Sequence, residues 1–164
     1  MHTFRILTLL VASVAVCAAT AHAGDVGHCL SGEKTIFTCQ IKGKTKVVSV
    51  CASQDLGPDS GYVQYRFGKP GAIEMTYPAN KAGSSQAFRV STYTRAGTSY
   101  NSLSFKNKGV EYVVYDDYVS EGGQEEFASG VKVILPDKRE VDIPCADMVR
   151  NFWEVEGVVP EAEQ

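Results

Sequence analysis

Tyr62-Val63-Gln64-Tyr65-Arg66-Phe67-Gly68-Lys69-Pro70-Gly71-Ala72-Ile73-Glu74-Met75-Thr76-Tyr77 decides the fold class. Successive side chains of an extended chain point to opposite sides. Val63, Tyr65 and Phe67 therefore share one face, and Tyr62, Gln64 and Arg66 the other. Gly68-Lys69-Pro70-Gly71 has turn chemistry, and Ile73, Met75 and Tyr77 then fall together again. Two alternating runs around a Pro-Gly turn predict a β-hairpin.

The pattern repeats in both directions. Thr35–Ile41 puts Phe37, Cys39 and Ile41 on one face, Lys42-Gly43-Lys44 turns, and Lys46–Cys51 returns. Ala87–Tyr93 and Ser99–Lys106 read as a third hairpin, followed by the tight turn Asn107-Lys108-Gly109. Glu111–Val119 is apolar on both sides, with Tyr112, Val114 and Tyr118 against Val113, Tyr115 and Val119. Such a run predicts a central strand covered on both faces. Gly130–Leu135 and Glu140–Cys145 flank a turn at Pro136-Asp137-Lys138, and Asp147–Val155 reads as one or two helical turns burying Phe152. Strands at this spacing predict an all-β domain. The expected architecture is an antiparallel meander closed into a sandwich or barrel, with a short C-terminal helical turn.

The N-terminus predicts export. Arg5 precedes the apolar run Ile6–Thr20, and Ala21-His22-Ala23 has the small-x-small pattern of a signal-peptidase site. The run is shorter than the roughly 20 residues that span a bilayer, so no membrane anchor is expected after cleavage. Val16 before Cys17 is too large for a lipidation site. The expected organisation is a signal peptide over 1–23, one domain over 24–156 and a flexible tail over 157–164. The location would be periplasmic or secreted. The remaining 141 residues are enough for one domain with its own core.

Cleavage would leave four cysteines, Cys29, Cys39, Cys51 and Cys145. An even number in an exported chain predicts two disulfides. Three pairings exist and the sequence does not choose among them. The working expectation is Cys29–Cys39 with Cys51–Cys145, the latter closing a loop of about 95 residues. Zinc is disfavoured, because no CxxC occurs and His28 is the single histidine beyond the signal.

Charge divides the chain. Residues 24–110 carry a net charge of +6 and residues 111–164 a net of −10. Their sum of −4, together with export, argues against nucleic acid as the partner. The densest acidic stretch, Tyr115–Glu126, combines five carboxylates, two tyrosines and two glycines, and reads as an exposed loop. A negative face draws a basic partner and speeds its encounter. Tyr115, Asp116, Asp117, Tyr118 and Glu121 are therefore the candidate partner-binding residues. The same loop offers oxygens to calcium, but it lacks the D-x-D-x-D-G run of an EF-hand, so no cofactor is expected.

Catalytic signatures are missing. No G-x-S-x-G, H-E-x-x-H or phosphate loop occurs, and His28, beside Cys29 near the new N-terminus, reads as an exposed, flexible residue. A carboxylate pair drawn from Glu74, Glu111, Asp116 and Asp117 would be the one route to glycan hydrolysis. Short strands and turns leave little chain to wall a sugar cleft. No catalytic residue is assigned.

Thr35-Ile36-Phe37-Thr38-Cys39, Gly43-Lys44, Val48-Ser49-Val50-Cys51-Ala52-Ser53 and Tyr65-Arg66-Phe67-Gly68 resemble a family of small exported, cysteine-bearing β proteins of Gram-negative bacteria. The resemblance covers residues 29–78 best and extends to Gly130–Cys145. It implies a periplasmic, cysteine-bridged β protein and no particular activity. More loosely, the build is similar to periplasmic lysozyme inhibitors and immunity proteins. Many such inhibitors carry a Ser-Gly-x-x-Tyr loop; here Ser60-Gly61-Tyr62 places the tyrosine early, and Ser129-Gly130 has none. No functional residue is carried over. The expected function is an exported, non-enzymatic protein-binding domain of inhibitor or immunity type. The alternatives are a structural envelope-associated protein and a carboxylate-dependent glycan hydrolase.

Overall fold

The computed structural model describes residues 27–150 and 152–163, so the signal peptide expected over 1–23 lies outside the described residues. Nine antiparallel strands form one sheet: β1 (Glu33–Ile41), β2 (Val47–Ser53), β3 (Val63–Lys69), β4 (Ala72–Tyr77), β5 (Phe88–Arg95), β6 (Thr98–Asn107), β7 (Val110–Glu121), β8 (Gln124–Ile134) and β9 (Glu140–Arg150). Their spatial order is β4-β3-β2-β1-β9-β8-β7-β6-β5. Two meanders thus meet where the first strand pairs with the last.

This order leaves β4 and β5, neighbours in sequence, at opposite edges of the sheet. Eight strand spacings in a flat sheet would separate them by roughly 38 Å. Residues 78–87, which include a 3₁₀ turn at Ser84–Ala87, must span that gap, so the sheet has to coil. The rings show that it does. Tyr77 of β4 stacks on Phe105 of β6 at 4.5 Å between centroids and meets Phe88 of β5 at 5.8 Å. Tyr65 of β3 lies 4.9 Å from Phe105. The core is therefore one face of the sheet folded onto itself, with Phe37, Val48, Val50 and Val63 from one meander and Phe88, Leu103, Val114 and Val131 from the other.

Closure into a sandwich or barrel was expected, but the sheet stays open: β4 and β5 are not paired. Residues Asp147–Arg150, expected in helical turns, extend β9 and pair with β1 over Phe37–Gln40. A single 3₁₀ turn, Phe152–Val155, follows. It drops Phe152 and Val155 into the core, with the Phe152 ring 5.8 Å from Phe37. Over 157–163, read from sequence as a flexible tail, Val159 is buried. The Val90 N–H donates to the Pro160 carbonyl at 2.9 Å, and Ala162 N–H donates to Val90 O at 2.8 Å. The segment thereby covers part of the β5 edge.

The disulfides are Cys29–Cys51 and Cys39–Cys145, which corrects the expected pairing. Alternation gives the reason. Cys39 pairs across β1 and β2 with Val48, whereas Cys51 lies three residues beyond Val48 and so on the opposite face. Cys39 on the core face reaches β9, and Cys51 on the outer face reaches the segment before β1. Two disulfides fit an oxidising compartment.

That outer face carries a buried polar layer. Residues 27–32 lie over β1, β2 and β3. His28, expected to be exposed and flexible, is buried: its N–H donates to Ser49 Oγ at 2.9 Å, and its carbonyl accepts from Arg66 Nη1 at 2.7 Å. Arg66 also grips Glu33 through two bonds, Nη1 to Oε2 at 2.6 Å and Nη2 to Oε1 at 2.7 Å. Tyr62 Oη and Leu30 N–H complete the carboxylate's shell at 2.5 and 2.7 Å.

Candidate functional site

The acidic stretch is a hairpin, which the sequence reading took for a loop. Glu121 pairs with Gln124 around Gly122 and Gly123, whose φ values of 59° and 82° are those of a two-residue type I′ turn. This turn fixes the register of β8 on β7, and the β5–β6 and β6–β7 pairings extend the rows. Four cross-strand rows run along the concave face. The first is Phe88, Phe105, Tyr112 and Val133; the second is Val90, Leu103, Val114 and Val131. Both pack in or against the core. The third, Thr92, Asn101, Asp116 and Ser129, is polar. The fourth, Thr94, Ser99, Tyr118 and Phe127, combines hydroxyls with two rings. Strands β6–β8 thus outrun the core, and their concave face passes from apolar to polar within two rows.

A groove of about 420 Å³ lies over the last two rows. Asp116 is in its floor, only 6% exposed. Tyr118 and Phe127 form one wall, their rings 4.9 Å apart, with Phe127 57% exposed. Tyr118 Oη donates to Glu125 Oε1 at 2.9 Å and holds that carboxylate beside the rings. Asn101 Nδ2 donates to Ser99 Oγ at 3.1 Å. Phe152 and Glu156, from the segment after β9, contribute to the remaining lining. Three carboxylates and three aromatic rings line the groove, with no basic side chain among the described lining residues.

The five sequence candidates are divided between two faces. Asp116 and Tyr118 face the groove. Tyr115, Asp117 and Glu121 alternate with them and lie on the outer face. Tyr115 spans Gly130, where an added Cβ would lie 2.9 Å from Tyr115 Oη, and donates to Asp142 Oδ1 at 2.9 Å. Burial raises the Tyr115 hydroxyl's pKa, and the Asp142 contact raises it further. Burial also raises the Asp117 carboxyl; the neighbouring Asp116 charge adds to this and Lys132 opposes it. Glu121 is exposed at the turn. Asn101, Glu125, Phe127, Phe152 and Glu156 were not identified from sequence. The signal that could have found the β8 pair was Glu121-Gly122-Gly123-Gln124: read as a hairpin turn, it sets Phe127 opposite Tyr118.

The carboxylates considered for hydrolysis are not brought together. Glu74 pairs with Lys46 at 2.6 Å on exposed β4, and Glu111 lies 3.8 Å from Lys106. Asp116 and Asp117 point to opposite faces. Among the described residues, Cys29, Glu33 and Cys51 group their ligand-type atoms within 4.8 Å, but both sulfurs are in the disulfide and Arg66 occupies the carboxylate. No helix among the described residues is long and apolar enough to cross a membrane. No protein-family model, curated protein or solved structure matches this chain.

Proposed function

We propose that this chain is an exported, non-enzymatic binding domain that docks a basic protein partner on the groove at the end of its concave face. One observation carries the reading: the carboxylates Asp116, Glu125 and Glu156 line one groove together with the rings of Tyr118, Phe127 and Phe152. Aromatic side chains supply contact area at little entropic cost, and carboxylates select a positive surface and accelerate its approach. The inhibitor or immunity role suggested by the loose resemblance fits such a face, and a lysozyme is a suitable cationic probe.

The opposite orientations of Asp116 and Asp117 supply the test. Association with immobilised lysozyme at low salt should slow about tenfold in Asp116→Lys, as expected for lost steering. Asp117→Lys, on the other face, should stay within twofold of wild type. Equal rates for all three proteins would remove the groove as the docking face.

A second reading, an envelope protein that assembles through its sheet, is favoured by the unequal edges. Residues 160–162 engage β5, while β4 presents exposed residues including Ile73, 48% exposed, with no strand beyond it among the described residues. A concentration-dependent oligomer abolished by Ile73→Lys would support it. A monomer at every concentration would dismiss it.

A further inference from the structure

Independently of the groove, we infer that the free half of β5 is a pairing surface for a second copy of this chain, added antiparallel about a two-fold axis at Tyr93. The backbone sets the geometry. Val90 turns both its N–H and its carbonyl away from β6, towards Ala162 and Pro160. These groups alternate in direction along a strand, so Thr92 and Thr94 turn theirs the same way as Val90. Residues 160–162 reach no further than Val90, and among the described residues no strand lies beside Thr92 and Thr94. Ser91 to Arg95 are all exposed. The C-terminal segment thus shows that this edge accepts an extended neighbour, and it leaves the outer half of the edge open.

The two edges of the sheet are not equal. On β4, Gly68 pairs with Ile73 and Phe67 with Met75, so Glu74 is an extra residue that interrupts the ladder, and it is tied to Lys46 at 2.6 Å. A bulge of this kind discourages further pairing. Ser91-Thr92-Tyr93-Thr94-Arg95 has no bulge, proline or lysine, and its Thr and Tyr side chains favour a sheet. The stretch is also self-complementary. With the axis at Tyr93, Thr92 of each copy faces the partner's Thr94, and each such pair exchanges both of its N–H···O bonds. An axis at Thr92 would set Val90 against the partner's Thr94, where residues 160–162 already sit. An axis at Thr94 would set Thr92 against the partner's Ala96, in the β5–β6 turn. On the outer face Tyr93 and Tyr100 are 51% and 44% exposed, with rings 6.1 Å apart, and the axis brings this pair against its copy. Arg95 falls diagonal to the partner's Tyr93, within reach of its ring. So short an edge buries less than the roughly 1,200 Å² of a stable complex, so the dimer is weak, with a Kd on the order of 0.1 mM.

Sedimentation equilibrium of the disulfide-intact chain should show a monomer turning into a dimer between roughly 10 μM and 1 mM. Amide hydrogen exchange at Thr92 and Thr94 should slow over the same range. Thr94→Pro removes an N–H that the monomer leaves to solvent, so it spares folding and should raise Kd at least about tenfold. Tyr93→Lys, on an exposed position, sets like charges opposite each other and should do the same. Ile73→Lys, on the β4 edge, should leave the dimer intact. A chain still monomeric at the top of the range would overturn the inference, as would exchange at Thr92 and Thr94 that does not change with concentration. A dimer that neither β5 variant weakens, with circular dichroism unchanged, would overturn it too. A dimer lost only in Ile73→Lys would place assembly at β4 and overturn it as well.

Discussion

Replacing Glu33 by glutamine should cost this protein about 3–5 kcal/mol, because it leaves Arg66 buried beside no charge. Both side chains are nearly inaccessible, 4% and 5% exposed. Burial alone would raise the Glu33 carboxyl. The hydrogen bonds from Arg66, Tyr62 and the Leu30 amide outweigh it and lower the pKa from 4.5 to about 2. At about 1.4 kcal/mol per pH unit, that difference amounts to roughly 3 kcal/mol of stability. The folded-state value is the depressed one, so the contribution is complete above pH 4.5 and is lost as pH falls towards 2. Other carboxylates titrate in the same window, so wild type alone is not diagnostic. The difference between wild type and Glu33→Gln isolates this group.

The assay is urea unfolding of the oxidised protein by far-ultraviolet circular dichroism, at intervals from pH 7 to pH 2.5. The gap between the two proteins should be widest at neutral pH and should shrink by roughly 3 kcal/mol across the acid range. A gap that is constant with pH would show that Glu33 ionises in the folded chain as it does in the unfolded one. A neutral-pH gap below about 1 kcal/mol would show that Arg66 finds water or another partner once the carboxylate is gone.

Peptide mapping without reduction should recover Cys29 with Cys51 and Cys39 with Cys145. The bridges span 22 and 106 residues, so removing Cys39–Cys145 as an alanine pair should cost roughly 1.4 kcal/mol more than removing Cys29–Cys51; equal losses in urea would contradict the chain-entropy account. Asp117→Asn should raise the unfolding midpoint at pH 7. The folded state raises this carboxyl, so its charge opposes folding once ionised, and the gain should vanish in acid. Gly130→Ala should destabilise by at least about 2 kcal/mol, since its Cβ would fall 2.5 Å from Ile143 O and 2.9 Å from Tyr115 Oη. A calorimetric midpoint within a degree of wild type would show that β8 and β9 can shift to make room.

Strand existence was legible because period-two alternation survives in nearly every segment. Val63, Tyr65 and Phe67 face the core as their spacing requires, and Gln64 and Arg66 face the other way. Burial on that second face was not legible, since alternation distinguishes sides and does not say what covers them. Segment 27–32 covers Arg66, and only long-range folding brings it there. Closure was not legible either. A meander read strand by strand pairs β4 with β5, whereas β1 pairs with β9 and sends those two to the edges. The same long-range pairing decided the disulfides, because Cys145 has no local sequence reason to prefer Cys39.

The site was half legible, and the failure has a single physical origin. Five carboxylates in twelve residues suggested a solvated loop, because charge outweighed the two-residue turn signal at Gly122-Gly123. Antiparallel pairing around that turn spends the charges two ways. Asp116 goes to the floor of the groove and Asp117 to the outer face, one residue apart and separated by the thickness of a sheet. A charge count over 115–126 therefore overstates the field at either face. What the groove has in its favour is position: Tyr118 and Phe127 lie in the row where β6, β7 and β8 have outrun the core, and Phe127 is more than half exposed there. Substitutions in the outer set, Tyr115, Asp117 and Glu121, should then act on stability or not at all, while those in the concave set, Asp116, Tyr118 and Phe127, should act on binding. A binding loss from Asp117→Asn as large as that from Asp116→Asn, in a protein of unchanged stability, would break this division of the hairpin.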